Sequence, residues 1–590
     1  MSYTSSQSHF INHSDGHNLV VALPGSGKSH SAIGACKHIL ALNPDNTVLM
    51  VTFTRAATNE MQHRLYKALG SKDAGRVKVE TFHSLFLEQY KQYNQGFQLA
   101  IGNVQANFVL RAKNRVNSKM DDNEAKQIVE RLGRMFDTSG ESAGAIELYK
   151  CYVELMTRYN YVDFNIIARR VCIGLDQEQI SPMNFTHAIV DEFQDCDDVQ
   201  YDWLCSLGHN GTKLSCVGDD DQSIYGFRGS SGYKVLVDFQ REFQAMGHQL
   251  IDCFRCAPVI LYVAEKFIRQ NIQRIPKTMV SNVKESGEVK IIKCKTAQAQ
   301  TDAVLNQTLS NTSEWAILAR TNQSLDEIEK ELSKFGVRAN RLGGKSIWDH
   351  PTAELLMKFL YSLTNPGDVR FLHEILGLNE ECEDVIHDIC SQARSSGGIC
   401  GVIESPEFPW GSRTHKIQQK FVDWTLDSGN DAVIKTKLTE LAVFMAKMDC
   451  AVAGVSDSVI QILLGMKGSL FSRTKKITER LFTSNANTAE AGQNTITLAT
   501  MHGSKGLEWE RVWILDVNHG KVPNKRALEE HGVEEERRLF YVAMTRAKVE
   551  LCISYVYDQS IFITHIEETC ENHIKQLVAK EAEPQGDEAA

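Results

Sequence analysis

Short apolar runs recur along the chain, each ending abruptly in polar or glycine-rich residues. "NLVVA" (18–22), "TVLMVTF" (47–53), "RVKVETF" (76–82), "HAIVDEF" (187–193) and "KLSCVGD" (213–219) are too short for buried helices, and most are rich in valine and isoleucine. They read as strands buried on both faces, and helical stretches separate them. That alternation predicts a doubly wound α/β domain with a parallel sheet and a site at the carboxyl ends of its strands. A second set, "VKIIKC", "EWAILAR", "TITLAT", "RVWILDV" and "ELCISYV", predicts a second domain of the same kind beginning near Pro258.

Two regions break the alternation. Between Tyr90 and Phe185 the pattern turns helical and polar, as in "NRVNSKMDDNEAKQIVERLGRMF" and "ELYKCYVELMTRYNY". From about Asp368 to Asn494 a second mostly helical stretch is fringed by "SSGGICG" and "SNANTAEAGQN". Each reads as an insertion into one α/β domain. No internal repeat is present, and the last residues, "AKEAEPQGDEAA", read as a disordered acidic tail.

The chemistry lies where strands end. After the first run, "ALPGSGKS" (Ala22, Leu23, Pro24, Gly25, Ser26, Gly27, Lys28, Ser29) leads into a helix beginning near His30. Backbone N–H groups of such a loop point at a β-phosphate, Lys28 bridges β- and γ-phosphates, and Ser29 suits Mg²⁺. The strict pattern has glycine where Ala22 stands. Asp191 at the tip of the fourth run is placed to hold Mg²⁺, and Glu192 to polarise the attacking water. In "GDDDQSIYGFRG" (218–229), Gln222 is placed to meet the γ-phosphate and that water.

Length and composition then set limits. A chain of 590 residues calls for about three or four compact units. Its net charge of −10 excludes a protein that is basic all over, but a local basic groove can still carry phosphate contacts. No apolar run is long enough to span a bilayer and the N-terminus has no signal-peptide core, so a cytoplasmic protein without membrane partners is expected. The 15 cysteines are scattered through apolar stretches and read as reduced, buried thiols. "CFRC" (253–256) lacks the second ligand pair a structural zinc would need.

These motifs in this order resemble superfamily 1 helicases of the UvrD/Rep/PcrA-like family over nearly the whole chain. Besides those quoted, "VTFTRAATNEM" (51–61), "TFHSLF" (81–86), "DEFQD", "FRCAPVIL", "TLATMHGSKGLEWERVWI" and "EEERRLFYVAMTRAK" are similar to the family's ordered motifs. The resemblance implies two RecA-like P-loop parallel-sheet domains, each with a helical insertion. The first, 1A, takes 1–90 and 180–257 and carries insertion 1B (91–179). The second, 2A, takes 258–367 and 495–565 and carries insertion 2B (368–494), with an acidic tail at 566–590. It implies ATP and Mg²⁺ as cofactors and movement 3′ to 5′ on single-stranded DNA with duplex unwinding. Residue by residue, Gln7 reads the adenine, Phe254 stacks on it, Glu508 contacts the ribose, Arg55 lies near the nucleotide, and Arg255 and Arg546 reach the γ-phosphate. Thr52, Phe53, Thr54, Phe82, His83, Tyr225, Phe227, Arg228, His502 and Lys505 follow the DNA. Single strands and single–double strand junctions are the implied partners, with a protein loading partner. Leu23 replaces a common glycine, Phe254 a tyrosine, Phe227 a tryptophan, and Cys253 and Cys256 an asparagine and a serine. Both insertions are shorter than is common in the family, and the short second one keeps a second reading open. That alternative is a DNA-stimulated ATPase acting as a clearance factor or a subunit of a larger machine, with little unwinding alone.

Overall fold

A computed structural model describes residues 3–116, 118–335, 337–342, 348, 350–376, 383–403, 414–424, 431–446, 453–466, 468–482, 495–529 and 532–578. The stretch "AKEAEPQGDEAA" lies outside these residues. The chain divides into two compact units, 1–291 with 517–552 and 558–576, and 292–516 with 553–557 and 577–590.

The first unit is built on a six-stranded sheet. Its strands are β1 (Asn18–Ala22), β2 (Val48–Thr52), β3 (Val77–Thr81), β6 (His187–Val190), β7 (Lys213–Gly218) and β8 (Met246–Leu250), with the two-residue pair β4 (Gln98–Leu99) and β5 (Tyr161–Val162) forming a separate ribbon. The order is β3-β2-β6-β7-β1-β8, and every pairing is parallel. β1 and β2 are buried at every position, as expected of strands with helices on both faces. All five runs expected as strands in this half are strands. β8 was not foreseen because "MGHQL" is polar, and as an edge strand it buries only His248 and Leu250. Two further short strands, β9 (Asp252–Cys253) and β10 (Val280–Ser281), pair in parallel with each other, and β11 (Glu288–Cys294) follows them.

One core fills the sheet face shared with the helices Asn103–Arg115, Asp122–Gly133, Ala143–Arg158 and Phe164–Asp176. Leu49 and Val51 from the sheet, and Trp203 from the helix Asp198–His209, pack in one cluster with Val109, Val129, Leu155 and Ile167 from these helices. The opposite face has its own core around Val20, Ile39, Met50 and Val217. The same unit includes 258–291 and 517–552, so the compact division falls later than the expected start near Pro258.

In the second unit, β12 (Trp315–Ala319), β13 (Arg338–Leu342), β14 (Thr495–Thr500) and β15 (Trp509–Ile514) pair in parallel in the order β13-β14-β12-β15. β13, "RANRL", carries too little apolar signal to be read as a strand. A separate helical core gathers Leu356, Leu360, Ile389, Leu438, Leu441, Ile462 and Leu463. Within the stretch expected as a tail from 566, the helix Ile561–Cys570 buries Ile566 and Cys570, and Lys575–Val578 is a strand. The described cysteines are free thiols, and all but Cys205 and Cys400 are buried.

Candidate functional site

β1 ends at Ala22 and the chain turns through Leu23–Gly27 into the helix Lys28–Leu42, aiming that helix's N-terminus at the loop. Ala22, Leu23, Pro24 and Ser26 are buried supports, while His30 is exposed beside the Tyr3 ring. Gly25 has φ +66°, and a Cβ there would lie 2.4 Å from the Cβ of Arg255. Only glycine allows this approach. The contact is sealed by the Phe254 N–H, which donates to the Gly25 carbonyl at 2.9 Å. Phe254 itself is 50% exposed, free to offer a ring face. Gln7, buried on the helix Ser5–Ile11, donates from Nε2 to the Ser26 carbonyl at 3.1 Å.

Behind the loop the catalytic candidates form one hydrogen-bonded chain. Lys28 Nζ lies 3.1 Å from both carboxylate oxygens of Glu192. Gln194 Nε2 donates to Glu192 Oε2 at 2.6 Å, and Gln194 Oε1 accepts from the Asp219 N–H at 2.9 Å. Gln222 Nε2 donates to Asp219 Oδ2 at 2.6 Å, and Arg546 Nη2 donates to Gln222 Oε1 at 3.3 Å. Asp191 accepts from Ser29 Oγ at 3.4 Å and from the Glu192 N–H at 2.9 Å. Arg255 donates to the Thr545 carbonyl at 3.5 Å, next to Arg546.

The charges here are out of balance. Burial pushes the Asp191 carboxyl up to about 6; Glu192 adds to the rise and Lys28 opposes it. Burial opposes the Lys28 ammonium too, but Glu192, Asp191 and Asp219 outweigh it and raise the group. Arg546 is pushed down to about 9 by burial and then by Arg255. A buried cation facing another cation is a site that favours an incoming anion.

Gln194, Arg274, Lys277, Glu535 and Arg538 were not foreseen. The helix Val533–Met544 grips the "SIYGF" stretch: Arg538 Nε donates to the Ser223 carbonyl at 3.0 Å, and the Glu535 carboxylate accepts from the Gly226 and Phe227 N–H groups. A Cβ on Gly226 would lie 2.8 Å from Glu535 Oε2, so glycine makes room for that carboxylate. The run of acids and arginines in "EEERRL" is the signal that could have found these two.

The nucleic-acid candidates divide by exposure. Phe227 is 57% exposed on a turn of 3-10 helix, Gly226–Arg228, its ring edge-on to Tyr225 at 6.2 Å. Arg228 lies over both rings, at 5.3 and 5.4 Å. Thr54 is exposed, capping the helix Arg55–Ala74 through a hydrogen bond from the Ala57 N–H, and Arg55 is exposed in its first turn. Phe82 is a correction: at 1% exposure it packs edge-on against both Trp203 and Phe53, so its buried ring has no face for a base. Thr52 is likewise buried, hydrogen-bonded to Thr58 Oγ1 at 2.6 Å. His83 is half-buried against the Phe164 ring, and burial, then Arg134, lower its pKa. His502 and Lys505 are half-buried and Glu508 exposed, all three in the second unit between β14 and β15.

Comparison with known proteins adds two family matches. Residues 3–133 and 117–244 match the UvrD/REP helicase N-terminal domain, and residues 249–384 and 418–558 match the UvrD-like helicase C-terminal domain. The chain is 25% identical to the ATP-dependent DNA helicase PcrA of Leuconostoc citreum, over 94% of its length and 82% of the relative's. It is 26% identical to the ATP-dependent DNA helicase Rep of Buchnera aphidicola subsp. Schizaphis graminum, over 94% and 93%. It is 24% identical to DNA helicase II of Escherichia coli K12, over 92% and 83%.

Proposed function

The chain belongs to the UvrD/Rep/PcrA-like family of superfamily 1 and is an ATP-dependent DNA helicase, and from that premise we propose that it tracks 3′ to 5′ along single-stranded DNA and opens the duplex at junctions. The observation that supports this most is the unbroken hydrogen-bonded path from Lys28 through Glu192, Gln194, Asp219 and Gln222 to Arg546. It joins the phosphate loop to the arginine expected on the γ-phosphate. ATP would draw Lys28 onto its β- and γ-phosphates and free Glu192 to orient water, while Arg255 and Arg546 meet the charge that develops on the γ-phosphate. Gln7 and Phe254 would hold the adenine, with Arg55 and Glu508 as further nucleotide contacts.

Ser29 and Asp191 suit Mg²⁺ carried in with ATP. A hydroxyl and a carboxylate are hard oxygen donors, and Asp191 is a half-buried carboxylate whose pKa is raised by desolvation and by the neighbouring Glu192 charge, so a cation there is favoured. Bound there, the ion would neutralise charge on the β- and γ-phosphates. The division into 1A, 1B, 2A and 2B is part of the same proposal, as are the cytoplasmic location and a loading partner. Unwinding of duplexes with 3′ or 5′ tails tests the reading: 3′-tailed substrates should open and 5′-tailed ones should not. ATPase stimulated by single strands with no unwinding of either substrate would instead identify the clearance factor or machine subunit.

Phe227 is the proposed stacking residue nearest the ATP site in sequence, five residues after Gln222. Base–aromatic stacking contributes about 1–3 kcal/mol. Phe227→Ala should therefore weaken single-strand binding about tenfold or more, measured by fluorescence anisotropy. Because the ring is 57% exposed, its melting temperature should barely move. A large fall in melting temperature with unchanged DNA affinity would make Phe227 a packing residue.

A further inference from the structure

Asp219, Asp220 and Asp221 are three consecutive carboxylates, each no more than 1% exposed. Buried anions so close together need compensation. It comes from "RIPK" (274–277), a stretch that carries no recognised motif. Lys277 Nζ lies 2.6 Å from Asp219 Oδ1, 2.6 Å from Asp220 Oδ1 and 3.1 Å from Asp221 Oδ2. Arg274 donates to both oxygens of Asp221, at 3.0 and 2.7 Å, and the Ile275 N–H donates to Asp220 Oδ2 at 2.7 Å. The triad has the spacing of a cation site, but an ammonium and a guanidinium already fill that role. Burial opposes the Lys277 charge, and the three carboxylates outweigh it, so the group stays an ammonium.

The geometry continues past charge balance. Lys277 holds one oxygen of Asp219, and the other accepts from Gln222 Nε2 at 2.6 Å. With its NH₂ committed to Asp219, Gln222 turns its carbonyl oxygen toward Arg546. We propose that Lys277 is a positioning residue for ATP hydrolysis, fixing Asp219 so that the Gln222 amide keeps one orientation beside the γ-phosphate. The inference rests on the reading of Gln222 as a γ-phosphate residue.

A double-mutant cycle on the full chain tests it, with kcat and KM for ATP measured separately at saturating single-stranded DNA. Lys277→Met keeps the side-chain length and removes the charge. It should lower kcat about tenfold or more while KM stays within about twofold. In a Gln222→Ala background the same substitution should change kcat less than about twofold, because the residue it acts through is gone. Equal losses in both backgrounds would make Lys277 a structural counter-ion only and overturn the inference, as would no loss in either. Should Lys277→Met not fold, Asp219→Asn, which keeps the shape and leaves Lys277 two carboxylates, takes its place in the cycle with the same expectations. A Gln222→Ala protein with unchanged kcat would unseat the γ-phosphate reading itself, and this inference with it; a Gln222→Ala loss that adds to the Lys277 loss would unseat this inference alone.

Discussion

Glu192→Gln should bind ATP as well as the parent protein, or better, while its DNA-stimulated turnover falls by about 10²- to 10⁴-fold, the range set by losing a positioned general base. Both halves follow from the geometry. Glu192 holds Lys28 through two contacts of 3.1 Å, and ATP must break them to claim the lysine. Glutamine is neutral and releases Lys28 without that exchange, so affinity should hold or rise. Turnover depends on a carboxylate that can polarise water, and an amide cannot do this. The fold should tolerate the change. Glu192 sits at φ +52°, ψ +39°, a left-handed conformation that costs about 1–2 kcal/mol for a side chain with a Cβ, and glutamine meets the same cost. The hydrogen bond from Gln194 can also be kept, since the glutamine side chain still offers an acceptor oxygen. Nucleotide affinity by equilibrium titration and single-turnover hydrolysis read the two effects separately. Turnover within a few-fold of the parent protein would remove Glu192 from the role of base.

The parts of this site that were legible in the sequence are those where chemistry and secondary structure coincide. Lys28, Asp191 and Glu192 stand at the ends of apolar runs, so a strand reading alone delivers them to the sheet's carboxyl edge. The strands β8 and β13 were hidden because edge positions bury few side chains and leave no apolar period. Phe82 was misplaced for a related reason. It follows strand β3 directly, in a motif that suggests a surface, yet its ring turns inward as the first residue of the helix Phe82–Tyr93. Lys277 and Arg274 were illegible because their meaning depends on three carboxylates more than fifty residues earlier, and no local pattern records a pairing over that distance. Short-range periodicity reports which face of an element is buried. It does not report which buried charge neutralises which.

Arg546→Met should separate catalysis from folding at the other end of the hydrogen-bonded path. Arginines that reach the transferring phosphoryl group in this class of chemistry are worth about 10³- to 10⁵-fold in turnover, so kcat should drop by about 10³ or more. Stability should move the other way, or not at all. Arg546 is 1% exposed and sits beside Arg255, and both burial and that neighbour disfavour its charge, bringing it down to about 9. Because its pKa is lowered in the fold, the protonated arginine at neutral pH is a destabilising group until an anion arrives. Methionine fills a similar volume without charge, and replacing a strained buried charge by an apolar side chain is often neutral or stabilising. Methionine cannot make the hydrogen bonds that Arg546 donates to the Val542 carbonyl at 2.9 Å and to Gln222 Oε1 at 3.3 Å, and their absence will offset part of that gain. The parent protein should therefore gain more in melting temperature from a non-hydrolysable ATP analogue than Arg546→Met does, because only the parent has a buried cation for the γ-phosphate to relieve. Thermal unfolding with and without the analogue, alongside steady-state ATPase, reads all three quantities on one pair of proteins. A variant that melts far below the parent, gains as much from the analogue and keeps most of its turnover would make Arg546 a structural arginine and leave Arg255 alone facing the γ-phosphate.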